Sequence, residues 1–218
     1  MSNYLKFYIN GEWVNPISSE TIEVINPSDE SVIALIAAGT KEDIDAAVNA
    51  ANNAFKSFGF SSKEERITLL ENIVVEYEKR SEELAKTISE EMGAPLWLSQ
   101  VAQVTSGLGH FKDTLEVLKT FEFEGTENNY LIRREPIGVV GMITPWNWPM
   151  NQMCTKVASA IAAGCTMVLK PSEITPLCGI LFAEILHSAK VPSGVFNLVN
   201  GVGPIVGAAL SEHPDIDM

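Results

Sequence analysis

Residues 136–210 read PIGVVGMITPWNWPMNQMCTKVASAIAAGCTMVLKPSEITPLCGILFAEILHSAKVPSGVFNLVNGVGPIVGAAL and alternate between apolar runs and longer helical stretches. The pattern predicts three strands, each followed by a helix. The strands are Ile137–Ile143, Thr166–Leu169 and Val195–Val199, and the helices occupy 152–163, 176–189 and the residues from Pro204. Repeated strand–helix units indicate an α/β fold, a parallel sheet with helices on its faces. Ligands of such sheets bind at the carboxyl ends of the strands.

The preceding residues, 1–120, are predicted to be rich in helix. Tyr8–Val14 has the pattern of two short strands around an Asn-Gly turn, and Val32–Ala37 is a third apolar strand. Apolar residues at helical spacing predict three helices, from Thr40 to Phe58, from Ser62 to Met92 and from Leu96 to Leu118. Residues 121–135 alternate on both sides of a turn-like segment and predict a β-hairpin arm.

The charge of the chain argues against a nucleic-acid partner. Its formal net charge is −13, whereas nucleic-acid binding needs a basic face. The N-terminus shows no basic start followed by an apolar stretch, so no secretory signal is predicted. Two long uncharged runs, 136–155 and 191–211, are broken by prolines and amides, which disfavours a membrane span. The sequence therefore predicts a cytoplasmic chain.

The first candidate cluster follows the Ile137–Ile143 strand and reads Thr144-Pro145-Trp146-Asn147-Trp148-Pro149. Two prolines stiffen this loop, and the Asn147 side chain carries an amide donor. A rigidly aimed amide donor is what an oxyanion hole requires. The alternative is a packed turn in which the tryptophans fill the core and Asn147 caps the next helix.

The second cluster, Lys170-Pro171-Ser172-Glu173, follows the Thr166–Leu169 strand. An ammonium and a carboxylate three residues apart can hold a ribose, because lysine donates to one hydroxyl and glutamate accepts from another. A carboxylate at this place also repels a 2′-phosphate, which favours NAD over NADP. The alternative is a surface ion pair, worth under about 1 kcal/mol.

The third cluster, Gly201–Gly207, follows the Val195–Val199 strand and precedes a helix. Glycines let backbone amides approach a pyrophosphate, and a helix N-terminus favours negative charge. The spacing G-x-G-x-x-x-G differs from the usual fingerprint, and the acidic ribose partner precedes the glycines. Glycines required only by a tight turn are the alternative.

The cysteines and histidines predict no further chemistry. Cys154, Cys165 and Cys178 have no CxxC spacing, so we expect core thiols, with neither a disulfide framework nor a metal site. Nothing near them in sequence would lower a thiol pKa. The three histidines are isolated from one another.

Taken together, these clusters and several other motifs resemble the aldehyde dehydrogenase superfamily along the whole chain. The matching stretches are Tyr8–Val14 (YINGEWV), Ile25-Asn26-Pro27, Arg134–Val140 (REPIGVV), Ile143–Pro149 (ITPWNWP), Ala162-Ala163-Gly164, Leu169–Glu173 (LKPSE), Pro192–Asn197, Asn200–Gly207 and His213-Pro214. Their order and separations also fit. The resemblance implies oxidation of a small-molecule aldehyde to a carboxylate, NAD as cofactor, and homo-oligomers.

The resemblance also implies a fold and a set of site residues. Residues 136–218 would form an incomplete Rossmann-like dinucleotide-binding region, residues 1–120 the N-terminal part of the same domain, and residues 121–135 an oligomerisation arm. Asn147 would be the side-chain donor of the oxyanion hole. The residues expected at the cofactor are Ile143, Thr144, Pro145 and Trp146 on the nicotinamide side with Asn147 next to them, Lys170 and Glu173 at the ribose with Pro171 and Ser172 in the same turn, and Gly203 and Gly207 near the adenine and phosphates.

Three further family motifs are missing from residues 1–218: the Phe-Thr-Gly-Ser turn, the Glu-Leu-Gly-Gly general-base segment and the Gly-Gln-x-Cys nucleophile. Aldehyde oxidation needs a thiolate and a base-activated water besides the cofactor. We therefore expect a truncated form that is inactive alone. The alternatives are a non-catalytic protein that binds NAD or pairs with other subunits, and a fragment without a stable role.

Overall fold

The computed structural model describes residues 3–218, which form nine strands and eight helices. The strands are β1 (Phe7–Ile9), β2 (Glu12–Val14), β3 (Thr21–Ile25), β4 (Val32–Ala37), β5 (Glu124–Glu127), β6 (Tyr130–Arg133), β7 (Val139–Ile143), β8 (Thr166–Lys170) and β9 (Phe196–Leu198). The helices are α1 (Lys41–Phe58), α2 (Lys63–Lys79), α3 (Ser81–Met92), α4 (Leu96–Leu98), α5 (Val104–Thr120), α6 (Pro149–Ala163), α7 (Pro176–Ser188) and α8 (Ala208–Ser211). Two π-helical turns, Ser99–Gln103 and Gly203–Gly207, precede α5 and α8.

The main sheet has five strands in the order β2-β1-β9-β8-β7. The predicted parallel sheet is confirmed, because β7 pairs with β8 and β8 with β9 in parallel. The Tyr8–Val14 hairpin is also confirmed, and it extends the sheet by pairing antiparallel with β9 through Tyr8 and Leu198. Asn197 holds this junction, since its side-chain oxygen accepts a hydrogen bond from the Asn10 amide at 2.9 Å.

Helices cover both faces of this sheet, as predicted. Val168 and Val199 belong to one buried cluster, which also contains the inward residues of α1. Met167 and Leu169 point to the opposite face, into a larger cluster built mainly from α2, α5, α6 and α7. Because side chains alternate along a strand, one short segment supplies both clusters. This alternation fixes which side chains emerge on the α1 face.

Several element boundaries differ from the predicted ones. Strand β3 was not predicted, and it pairs with β4 in a separate two-stranded sheet. The helix predicted from Ser62 to Met92 is two helices, because Arg80 leaves the helical region at φ −110° and ψ 12°. Helix α6 begins at Pro149, three residues early, since proline is well tolerated in the first turn of a helix.

The predicted hairpin arm is confirmed as β5 and β6, which pair antiparallel from Glu124 with Arg133 to Glu127 with Tyr130. Asn128 and Asn129 form its turn with φ values of 49° and 69°, a conformation that asparagine tolerates. Tyr130 and Leu131 on this arm are largely exposed. Within residues 3–218, none of the helices combines the length and the apolar character needed to cross a membrane.

A buried carboxylate holds the start of α7. The N-cap residue of this helix, Thr175, makes no side-chain capping bond. The backbone amides of Leu177 and Cys178 instead donate to the two carboxylate oxygens of Glu91, at 2.7 and 2.9 Å. Glu91 lies at the end of α3 and is 1% exposed. A side chain 86 residues away in the sequence thus caps α7.

Glu91 should make stability depend on pH. Burial raises the pKa of the Glu91 carboxyl to about 7, although the amides of Cys178 and Leu177 act in the opposite direction. A raised pKa means that the folded state binds the proton more tightly than the unfolded state. The stabilisation of the folded state by the protonated Glu91 carboxyl is therefore lost as pH rises through 7. Relative to Glu91→Gln, the free energy of unfolding of the unmodified protein should fall by roughly 2 to 3 kcal/mol between pH 5 and 8. Urea denaturation at a series of pH values measures this free energy for both proteins. The same dependence on pH in the unmodified protein and in Glu91→Gln would contradict the prediction.

Candidate functional site

The carboxyl ends of β7 and β8 lie side by side. Ile143 pairs with Lys170 in the parallel register, and the Thr144 amide donates to the Lys170 carbonyl at 3.2 Å. On β7, Ile143 lies four residues after Val139, and on β8, Lys170 lies two residues after Val168. Because side chains alternate along a strand, Ile143 and Lys170 lie on the same face as these valines, the face covered by α1. The first two predicted clusters therefore begin at one edge of the sheet.

The Lys170 ammonium and the Glu173 carboxylate form a short ion pair, with Nζ 2.6 Å from Oε2. Only 3% of the Lys170 side chain is exposed, against 33% for Glu173. The surface ion-pair alternative is therefore wrong, because the ammonium is buried. Burial opposes ionisation of Glu173, but the hydrogen bond and the positive charge of Lys170, together with backbone amide hydrogen bonds that include the one from Gly203, outweigh burial, so the pKa of Glu173 is lowered.

The same carboxylate joins the second cluster to the third. The Gly203 amide lies 3.4 Å from Glu173 Oε1 and donates to it. Gly207 lies on the other side of this cluster, where a Cβ added to it would be 3.8 Å from Ile143 Cδ1. The structure thus brings Ile143, Lys170, Glu173, Gly203 and Gly207 together around the ends of three strands.

Gly203 and Gly207 are not glycines demanded by a turn. Neither has a positive φ, and both lie in the π-helical turn before α8. A Cβ added at Gly203 would meet no atom within 4 Å. The space in front of Gly203 is therefore open, which is what a ligand approaching the backbone needs.

Pro171 and Ser172 shape the turn between Lys170 and Glu173. The Pro171 ring packs against Gly179 of α7, where a Cβ would lie 3.0 Å from its Cγ. The Ser172 hydroxyl accepts a hydrogen bond from the Ile174 amide at 3.2 Å. Both residues are buried, so they hold the turn rather than face open space.

Asn147 lies on the loop between β7 and α6. Its side chain does not cap α6, because the N-cap position is Trp148 and no side-chain hydrogen bond caps this helix. Asn147 is exposed, as are Pro145 and Trp146 beside it, whereas Thr144 is 3% exposed. The capping alternative is therefore wrong, and the Asn147 amide is available to a ligand.

The Asn147 loop is joined to the other clusters through the sheet edge. Within residues 3–218, no hydrogen bond links Asn147 directly to Lys170, Glu173 or Gly203. The loop is instead tied to the π-helical turn before α5, where Gln103 Nε2 donates to the Asn147 carbonyl at 3.2 Å. Gln103 was not predicted as a site residue from the sequence. The only sequence feature that could have indicated it is a polar residue within an otherwise helical, partly apolar stretch.

The comparisons with known proteins identify the family of the chain. The model of the aldehyde dehydrogenase family matches residues 13–218, which is nearly the whole chain. The chain belongs to the aldehyde dehydrogenase family. A 3-succinoylsemialdehyde-pyridine dehydrogenase from a Pseudomonas species is 50% identical over 100% of this chain and 46% of its own length. The chain therefore spans about half the length of the curated aldehyde dehydrogenase relatives that it matches.

Solved aldehyde dehydrogenase structures share the fold. A mutant of aldehyde dehydrogenase C from Pseudomonas syringae, in complex with NAD+ and octanal, superposes with a TM-score of 0.98 at 49% identity, over 99% of this chain and 44% of that one. An aldehyde dehydrogenase from Bartonella henselae gives a TM-score of 0.96 at 50% identity, over 99% and 46% of the two chains. An NAD+ complex of the Bacillus cereus enzyme gives 0.92 at 37% identity, over 98% and 45%.

The buried ion pair makes a stability prediction. Replacing Glu173 with glutamine leaves the buried Lys170 ammonium without its counter-charge. We expect Glu173→Gln to lower the free energy of unfolding by about 1 to 2 kcal/mol, less than for a fully buried pair because Glu173 is one-third exposed. The double variant Lys170→Met with Glu173→Gln should regain part of this loss, because it removes the uncompensated charge. Urea denaturation would contradict the account if the single variant were as stable as the unmodified protein.

Proposed function

We propose that this chain supplies the dinucleotide site and the oxyanion donor of an NAD-dependent aldehyde dehydrogenase. The observation that carries the proposal is the buried Lys170–Glu173 pair bonded to Gly203, beside open space at the ends of three parallel strands. The pair offers a donor and an acceptor to the two hydroxyls of a ribose. Gly203 and Gly207, before α8, allow a pyrophosphate to approach backbone amides.

The charge of Glu173 favours NAD over NADP. Its lowered pKa keeps the carboxylate ionised near neutral pH. An ionised carboxylate accepts from a ribose hydroxyl and repels a 2′-phosphate. The relatives solved as NAD+ complexes support this choice. Ile143, Thr144, Pro145 and Trp146 would line the nicotinamide side, since they continue from β7 beside the pair.

Asn147 would stabilise charge on the substrate. Attack of a thiolate on an aldehyde carbonyl leaves negative charge on the oxygen, and an aligned amide donor stabilises it. The exposed Asn147 amide, on a loop between two prolines, suits this role. NAD, when bound, accepts the hydride that the intermediate releases.

No cysteine of residues 3–218 suits the role of nucleophile. Cys154, Cys165 and Cys178 are all buried, and burial raises the pKa of Cys154 and Cys178 well above that of a free thiol. We therefore propose that these residues alone do not oxidise aldehydes. The buried cysteines equally favour a second candidate, a non-catalytic protein that binds NAD.

We further propose a role for each of the three segments of the chain. Residues 136–218 carry the dinucleotide-binding strands, and residues 1–120 complete that domain, which the pairing of β1 with β9 supports. Residues 121–135 are an oligomerisation arm, and the exposed Tyr130 and Leu131 support this role. The complete protein would be a homo-oligomer that acts on a small aldehyde.

Cofactor titration tests the dinucleotide site. We expect calorimetry to show NAD binding more tightly than NADP, and Gly203→Val to raise the NAD Kd at least about tenfold by filling the open space. The matched control is Gly125→Val, because Gly125 is also unobstructed but lies on the arm. Equal affinity of the Gly203 variant and the unmodified protein would contradict the site.

Activity separates the two candidate functions. We expect residues 1–218 to form no NADH above a protein-free control with a panel of aldehydes, because no thiolate is supplied. The protein purified at the length its gene encodes should form NADH if it is an enzyme. Binding of NAD without NADH formation in that protein would favour the non-catalytic candidate.

A further inference from the structure

The π-helical turn Ser99–Gln103 contacts the loop that carries Asn147 through the Gln103 side chain. Ser99 is 0% exposed and Gln103 is 2% exposed, although both side chains are polar. In the part of the chain that the structure describes, neither Ser99 Oγ nor Gln103 Oε1 has a hydrogen-bond partner. Turns of this kind within α-helices occur frequently at functional sites.

A buried glutamine with an unpaired oxygen costs free energy, and an apolar side chain of similar size would avoid that cost. Stability therefore does not explain Gln103. Its amide nitrogen has two partners, the Asn147 carbonyl at 3.2 Å and Met92 Sδ at 3.5 Å. Thioether sulfur is a weak acceptor, so the bond to Asn147 is the stronger one.

The Asn147 loop needs such support. Trp148 begins α6 without any side-chain cap, and Asn147 itself is exposed. The Thr144 amide fixes the other end of the loop on β8. Gln103 supplies the only side-chain hydrogen bond to Asn147 within residues 3–218.

We propose that Gln103 is a positioning residue, which holds the backbone of Asn147 so that the side-chain amide points at the substrate oxygen. The inference rests on the oxyanion role proposed for Asn147. Stabilisation by such a donor depends steeply on its placement, and a displacement of about 1 Å can cost roughly a hundredfold in rate. The buried Gln103 amide, which is otherwise unfavourable, fixes that placement.

Hydrogen–deuterium exchange on residues 1–218 tests the contact without any need for turnover. In Gln103→Leu, peptides covering 144–152 should exchange about fivefold faster, because one hydrogen bond to the loop is lost. The melting temperature should stay the same or rise, since the unpaired buried oxygen is removed. Met92→Leu is the matched control: it removes the sulfur acceptor and keeps the bond to Asn147, so exchange in the loop should not change.

Two outcomes of this measurement would overturn the inference. One is unchanged exchange of the loop in Gln103→Leu. The other is a lower melting temperature together with faster exchange over the whole chain, which is what a purely structural role predicts.

A kinetic measurement distinguishes a positioning role of Gln103 from a purely structural role. In the protein at the length its gene encodes, Gln103→Leu should lower kcat for aldehyde oxidation about tenfold, with the KM for NAD unchanged. In the Asn147→Ala variant, adding Gln103→Leu should not lower kcat further. If the two substitutions instead lowered kcat independently, so that their effects multiplied, the inference would be overturned. If Asn147→Ala alone left kcat unchanged, the proposed role of Asn147 would fail, while the exchange result would still decide whether Gln103 holds the loop.

Discussion

The ion pair between Lys170 and Glu173 is the contact on which the arrangement at the strand ends depends. Lys170 is the last residue of β8 and is almost completely buried, so its ammonium requires a counter-charge. Glu173 supplies that charge and also accepts from the Gly203 amide. One carboxylate thereby fixes the turn after β8 against the glycine segment after β9. Within residues 3–218, its bond to Gly203 is the only hydrogen bond between these two clusters.

The parallel register determines which side chains meet around this pair. Side chains of β7 and β8 alternate between two hydrophobic clusters, one against α1 and the other against α6 and α7. Ile143 and Lys170 are paired and fall on the same face, where Gly207 also lies. A shift of one residue in either strand would send one of the two side chains to the opposite face. The packing of the core therefore sets the geometry of the candidate site.

Local sequence pattern predicted most of the elements and the candidate residues that lie at the strand ends, although it missed β3 and the break between α2 and α3. Strand–helix alternation after Pro136 predicts the parallel strands, and the residues that follow each strand include Lys170, Glu173 and Gly203. Contacts between distant residues were not predictable in this way. The pairing of Tyr8 with Leu198, the Glu91 cap on α7 and the Gln103 bond to Asn147 join segments that are 190, 86 and 44 residues apart. They depend on tertiary packing, which no local periodicity encodes.

We propose that one dinucleotide lies across the ends of β7, β8 and β9. An amide NMR titration of isotope-labelled residues 1–218 with NAD measures where the dinucleotide binds. We expect saturable shift changes to concentrate in 143–148, 170–173 and 201–207, with the arm at 121–135 unaffected. Saturable changes confined to the arm or to the outer surface of α5, with these three segments unmoved, would contradict it.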